Sequence, residues 1–216
     1  MRVDVWSDIV CPWCYVGKRR FERAAAALGE GTGEGTEDGT RVEMVHRAFQ
    51  LNPGMPQGQT SSRRDYLMAK YGWPESQADA MDARMQQLAA AEGLEYHLAG
   101  TSTGNTFDAH RVVHLARAAG REDAALERLY RAYFTEQRSI FDHESLVALG
   151  ADAGLDAGET RRMLESDAYA DAVASDIKDA AALRVSGVPF FVIDNRFGIS
   201  GAQSTDVFLE ALRRAS

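Results

Sequence analysis

A small α/β domain split by a long helical insertion is the architecture that this sequence predicts. Three observations predict it. Apolar segments with strand character lie near the start of the chain, a second pair lies near its end, and the residues between keep an almost unbroken helical period.

Arg2–Asp8 alternates and is rich in Val and Trp, which predicts a first strand with Trp6 in the core. Cys11–Leu28 follows at helical spacing, with Tyr15, Phe21 and an Ala-rich end. Gly29–Thr40 is an acidic Gly/Thr tract and reads as a loop; its Gly31–Gly35 stretch follows a helix and carries acid, so it does not suit phosphate. Arg41–Phe49 is a second strand. At the other end, Asp167–Arg184 carries the stripe Tyr169, Val173, Ile177 and Ala180 and predicts a packed helix. Phe190–Ile193 and Arg196–Ser200 are strands around the turn pair Asp194–Asn195, and Gly201 introduces a closing helix to Arg214.

Between these ends, six helices are predicted: Ser61–Tyr71, Glu75–Glu92, Thr106–Ala119, Glu122–Glu136, His143–Ala153 and Ala157–Glu165. Asn52-Pro53 and Trp73-Pro74 mark entries, because proline disfavours helix in the residue before it. The domain boundaries expected are therefore 1–51 with 167–216 for the α/β domain, and 52–166 for an all-helical insert. The stripe Met81, Met85 and Leu88 predicts core packing, with a soft binding surface as the alternative.

The chain has 216 residues, 45% apolar and 26% charged, an ordinary globular composition with a core large enough to need no staples. Its net charge of −8 argues against a nucleic-acid backbone or an anionic membrane as main partner. No apolar run approaches the ~20 residues that span a bilayer, and Met1–Trp6 does not read as a signal peptide. A cytoplasmic location is the expectation. There a lone Cys-X-X-Cys is catalytic or metal-binding more often than structural.

That motif is Cys11-Pro12-Trp13-Cys14, directly after a strand and opening a helix. Free backbone N–H groups and the positive end of the helix dipole favour a thiolate on Cys11. Pro12 suits the first turn, where its missing N–H costs nothing. Cys14, three residues on, lies on the same side and is expected to be the shielded thiol, with Cys11 and Trp13 exposed. A structural zinc site needs about four ligands, commonly a second Cys pair or a His pair; the only helical His pair is His110 with His114, so no metal is expected. Asp8, just before the motif, reads either as a hydrogen-bonding group beside it or as a plain turn residue.

Ser7–Gly17, Ser186-Gly187-Val188-Pro189-Phe190-Phe191 and Ile199–Gln203 together resemble the FrnE-like branch of the DsbA family, and the helical insert has the length found there. The resemblance spans the whole chain. It implies a thioredoxin-like fold with a large helical insertion, and a cis Val188-Pro189 peptide facing the cysteines. Val188 would offer backbone hydrogen bonds to a bound peptide or thiol. Relatives include glutathione-dependent 2-hydroxychromene-2-carboxylate isomerases and kappa-class glutathione transferases, which have serine where Cys11 stands. This chain keeps both cysteines, which favours redox chemistry. It departs from many thioredoxin-fold proteins in having Val5, not a buried acid, six residues before the first cysteine.

The activity implied is thiol–disulfide exchange without a tightly bound cofactor, the redox group being the Cys11–Cys14 disulfide. Substrates would be protein or small-molecule thiols and disulfides. The alternatives are a glutathione-dependent isomerase or transferase on an aromatic or polyketide-like molecule, and a binding module that uses the helical insert. Asn105 matches an Asn of the glutathione-binding relatives, and Ser200, Gly201, Ala202 and Gln203, leading into a helix, read as an anion or γ-glutamyl site. On the helix after Asn105, the face of Ala109, Val112, Val113, Ala116 and Ala119 predicts core. Phe107, His110, Arg111 and His114 fall opposite, either over the active site or in solvent.

Overall fold

Six strands and nine helices occur among the described residues, 1–30 and 42–216, of the computed structural model. Of the Gly29–Thr40 loop reading, Gly29 and Glu30 instead end the first helix, and the tract from 31 to 41 lies outside the described residues. Strand β1 (Arg2–Ser7) pairs in parallel with β2 (Glu43–Ala48) and antiparallel with β5 (Phe190–Ile193), which pairs antiparallel with β6 (Phe197–Ser200). The sheet order is β2-β1-β5-β6. Asp194 and Asn195 both take positive φ in the β5–β6 turn, a conformation those two side chains tolerate better than most.

Helix α1 (Pro12–Glu30) and the last helix, α9 (Thr205–Ala215), pack together on the sheet. Their contact is aromatic: Phe21 lies 5.3 Å from Phe191 and 5.5 Å from Phe208 between ring centroids. Val3, Val5, Ile193 and Leu212 complete this core. On the opposite side of β1, Trp6 is buried and its indole N–H donates to the Asp176 carbonyl at 2.8 Å.

The segment between β2 and β5 carries α2 (Arg63–Tyr71), α3 (Glu75–Ala91), α4 (Phe107–Ala118), α5 (Glu122–Phe134), α6 (His143–Asp152), α7 (Ala157–Leu164) and α8 (Ala170–Ala182). Local chemistry fixes several starts. Asp142 caps α6 by accepting from the Ser145 N–H at 2.8 Å, and Asp156 caps α7 by accepting from Glu159 at 2.7 Å.

Some boundaries differ from the sequence reading. Thr60–Ser62 (β3) and Ser102–Gly104 (β4) form a small antiparallel pair, so the insert is helical except for this ribbon and the first helix begins at Arg63. The eighth helix begins at Ala170, because Tyr169 takes a left-handed conformation (φ 62°). The ninth begins at Thr205, where the Ser204 hydroxyl accepts from the Val207 N–H.

Candidate active site

β1 runs into the Cys-X-X-Cys segment through one tight turn: the Cys11 N–H donates to the Asp8 carbonyl at 3.0 Å, and the Cys14 N–H to the Cys11 carbonyl at 3.0 Å. The two cysteines are free thiols at the N-terminal end of α1. The Cys11 thiol points at the carbonyl of Val188, 3.6 Å away, and the Val188–Pro189 peptide is cis. Gly17 allows this approach: a Cβ there would stand 2.9 Å from the Pro189 ring and 3.3 Å from the Ala202 Cβ. Pro189 is fixed from its other side too, its carbonyl accepting from the Gly201 N–H at 2.8 Å.

The expected contrast between an exposed Cys11 and a shielded Cys14 is not what the fold presents. Cys11 is 4% exposed and Cys14 2%. The cause is the insert: Ile9, Val10, both cysteines, Tyr15 and Val16 pack into one core with α3, α4 and α5, and the Tyr96 hydroxyl donates to the Pro12 carbonyl at 2.8 Å. Trp13, between the cysteines, is 36% exposed, in line with its expected placement. Burial, a hydrogen bond with Cys11 and the charge of Cys11 push the Cys14 thiol well above its ordinary pKa, and the charge of Asp8 adds to that.

A cavity of about 460 Å³ opens beside Cys11. Cys11, Trp13 and Val188 line it on one side, and Tyr66, Lys70 and Trp73 come from the insert. The Lys70 ammonium donates to the Tyr66 hydroxyl at 3.0 Å and lies 5.8 Å from the Tyr71 ring, which stacks on Trp73 at 4.7 Å. Met85 is both core and cavity wall, and Met81 is half-buried beside it, so the two readings of the Met stripe merge. A cationic group among stacked rings next to a thiol suits an apolar or aromatic substrate carrying negative charge.

The other sequence-selected residues fall elsewhere. Asn105 does not line the cavity. Its side chain accepts from Gln50 at 2.7 Å and from the Phe107 N–H at 2.9 Å and donates to the Met55 carbonyl at 2.7 Å, which makes it a latch on the loop after β2. Ser200–Gln203 does not form the first turn of a helix: Gly201 takes φ 82°, and Gln203 donates back to the Ser200 carbonyl at 2.7 Å. The segment is a turn that precedes the helix instead of its first turn, and Ser200 and Gln203 stay exposed.

The polar side of α4 faces neither solvent nor the cavity. His110, Arg111 and His114 are buried. Arg111 donates to backbone carbonyls of Met163 and Ala168, and His114 bonds Asp176 at 2.9 Å. Burial alone would raise the Asp176 pKa, but hydrogen bonds from His114, the Ala48 N–H and Arg47 outweigh it and bring it down to about 2.

Sequence reasoning passed over three polar residues beneath the motif. Ser7, His46 and Tyr130 are buried together, the Ser7 hydroxyl lying 2.8 Å from His46 Nδ1. The available sign was the single histidine of the second strand, between Val45 and Arg47. Asp8 is fully buried; its Oδ2 accepts from the Leu51 N–H at 2.7 Å, while Oδ1 has no hydrogen-bond partner among the described residues. Among those residues no cluster of His, Cys, Asp or Glu is arranged to hold a metal, and no helix is long and apolar enough to cross a membrane.

A thioredoxin-type sheet, a Cys-X-X-Cys at the start of α1 and a proline loop facing it define the disulfide oxidoreductase class of site. The family model of the DSBA-like thioredoxin domain matches residues 2–213, and the chain belongs to that family. Its structure is similar to that of a probable DsbA oxidoreductase from Streptomyces coelicolor, with 48% identity, TM-score 0.92, and coverage of 100% of this chain and 89% of that one. It shares its fold with 2-hydroxychromene-2-carboxylate isomerase (19% identity, TM-score 0.72, 99% and 95% covered). The same holds for the cytosolic disulfide reductase DsbM from Pseudomonas aeruginosa, solved with glutathione (20% identity, TM-score 0.66, 99% and 98% covered).

Proposed function

We propose that the protein is a dithiol–disulfide oxidoreductase whose Cys11 attacks a substrate disulfide and whose Cys14 resolves the mixed disulfide. The observation that carries this reading is the Cys11 thiol directed at Val188 beside the cavity, with Cys14 one turn behind it. The Cys11 sulfur displaces one substrate thiolate; Cys14 then attacks the Cys11 sulfur, closes the Cys11–Cys14 disulfide and expels the second thiolate. Pro12 and Trp13 set the access to Cys11. Val188, flanked by Gly187 and Pro189, offers main-chain pairing to an extended peptide or thiol. No tightly bound cofactor enters this scheme.

The rings and ammonium of the cavity support apolar or aromatic side chains, or small thiols with a carboxylate, as the groups it accepts. Glutathione fits that description. The DsbM neighbour, described as cytosolic, supports both glutathione as a co-substrate and a cytoplasmic location. A second reading, a glutathione-dependent isomerase or transferase on an aromatic small molecule, is favoured by the same ring-lined cavity. Ser200–Gln203, beside the Pro189 loop, is where glutathione would lie under either reading.

The experiment is recovery of tagged Cys14→Ser from cells on non-reducing gels. Reducible adducts through Cys11, absent from the Cys11→Ser control, are the result expected. Identical patterns for the two variants would refute the exchange, and glutathione consumption without a Cys11–Cys14 disulfide would favour the second reading.

A further inference from the structure

Beneath the motif, one chain of hydrogen bonds takes a single direction when both of its histidine rings are neutral. His110 Nε2 lies 3.0 Å from the Phe49 carbonyl, which can only accept, so Nε2 carries the proton. With the ring neutral, Nδ1 is bare and accepts from His46 Nε2–H at 3.2 Å, the two rings lying nearly parallel. His46 Nδ1 is then bare and accepts from the Ser7 hydroxyl, whose oxygen accepts in turn from Tyr130 at 3.4 Å. Burial, then the neighbouring His110, hold the His46 pKa well below its ordinary value, in keeping with a neutral ring.

The chain has two ends of interest. At one, Ser7, Cys14, His46 and Tyr130 line a common cavity of about 10 Å³, enough for about one water. At the other, His110 Nε2 stands 3.6 Å from Asp8 Oδ1, the buried carboxylate oxygen without a hydrogen-bond partner. The position where an acid would face Cys14 directly from β1 is Val5, which lines the same small cavity.

We infer that Ser7, His46, His110 and Asp8 form a proton relay that carries the Cys14 thiol proton to the Asp8 carboxylate as Cys14 resolves a mixed disulfide. The inference rests on the exchange reading above. In the step, Cys14 sulfur bonds to Cys11 sulfur, the bond from Cys11 to the substrate sulfur breaks, and that sulfur leaves as a thiolate with the electron pair. The two enzyme sulfurs are oxidised and the substrate disulfide is reduced. The Cys14 proton passes to Ser7 Oγ, the Ser7 proton to His46 Nδ1, that of His46 Nε2 to His110 Nδ1, and that of His110 Nε2, giving up its bond to the Phe49 carbonyl, to Asp8 Oδ1. Each intermediate group gains one proton and gives one, and both rings end neutral in the opposite tautomer. Reduction of the Cys11–Cys14 disulfide runs the relay backwards, returns the proton to Cys14 and resets the rings.

Other titratable groups face this assembly: Cys11 just before α1 and Lys18 on it, Lys70 on α2, Tyr96 after α3, His114 and Arg117 on α4, Glu122, Tyr130 and Tyr133 on α5, and Asp176 on α8. The hydrogen bonds run from Ser7 to His110, Cys14 meeting Ser7 across the small cavity and Asp8 standing 3.6 Å from His110, so the variants that remove a member at each end are Ser7→Ala and Asp8→Asn.

The test is stopped-flow reaction of the reduced full-length protein with dithiobis(nitrobenzoate). A first thiolate is released in a phase that scales with reagent, and a second in a phase independent of it. Each variant is expected to slow the second phase about 100-fold near neutral pH, the scale of a lost proton transfer, and to leave the first phase unchanged. The residual rate should rise in proportion to hydroxide, and the double variant should be no slower than the slower single one. A wild-type second phase in either variant, equal slowing of both phases, or additive losses would overturn the relay. Should Asp8→Asn fail to fold, Ser7→Ala decides alone. If the wild-type chain releases only one thiolate, the exchange reading itself fails and the relay falls with it.

Discussion

At the residue scale, the site depends on close approach. Pro189 can sit against α1 because residue 17 has no side chain. Gly17→Ala would push the proline loop away from Cys11, and overpacking of this kind costs about 1–3 kcal/mol. A lower midpoint in urea and a slower attack by Cys11 are the outcomes expected; an unchanged midpoint would show that the loop yields freely. Asp176 gives a second prediction, in pH. Its folded pKa of about 2 lies below the ordinary 3.8, so the unfolded chain binds the proton more readily. Stability is therefore present above about 3.8 and is lost as pH falls through about 2, a contribution on the order of 2 kcal/mol. Urea titrations at stepped acid pH should show this loss in the wild type, and Asp176→Asn should lose less over the same window, since only the other carboxylates then contribute, though it is less stable above it. His110, Asp8 and His46 mark the limit of reading by residue: the helical period placed His110 away from the apolar face, but a helix packed on all sides buries both.

At the element scale, α1 joins the two cores. Its Phe21 side meets Phe191 and Phe208 under the sheet, while Cys11, Cys14 and Tyr15 enter the core of the insert. Phe208→Ala empties a fully buried site between them, for which about 3–5 kcal/mol of destabilisation is the usual range. Thermal unfolding should show a marked drop, with the Cys11 reaction of the surviving folded protein little changed. Most helices were legible because their caps are local: Asp142 and Asp156 each bond an N–H three residues on. The starts of α8 and α9 were not, since Tyr169 takes φ 62° under tertiary packing and Ser204, not Gly201, supplies the cap. The β3–β4 ribbon was equally hidden, for Thr60–Ser62 has no apolar alternation and acquires its strand form only by pairing with Ser102–Gly104.

At the scale of the whole molecule, strand, Cys-X-X-Cys helix and strand at one end, and proline loop with hairpin at the other, announced the fold because each carries its own local pattern. What the sequence could not show is how the insert closes on the motif. Burial of Cys11, the cavity and the polar chain under Cys14 all arise from residues far apart in sequence, such as Tyr96, Tyr130 and His110. The Asn105 latch shows the same limit, since the loop groups it holds belong to Gln50 and Met55, far before it in sequence. The account centres on Cys11 and Cys14 as one two-electron couple, and equilibration of the full-length protein in graded glutathione buffers tests that most directly. A single transition to an intramolecular Cys11–Cys14 disulfide, its equilibrium constant changing tenfold for about 30 mV, is the result predicted. Thiols that stay reduced at every ratio, or a stable Cys11–glutathione adduct that Cys14 never displaces, would contradict it.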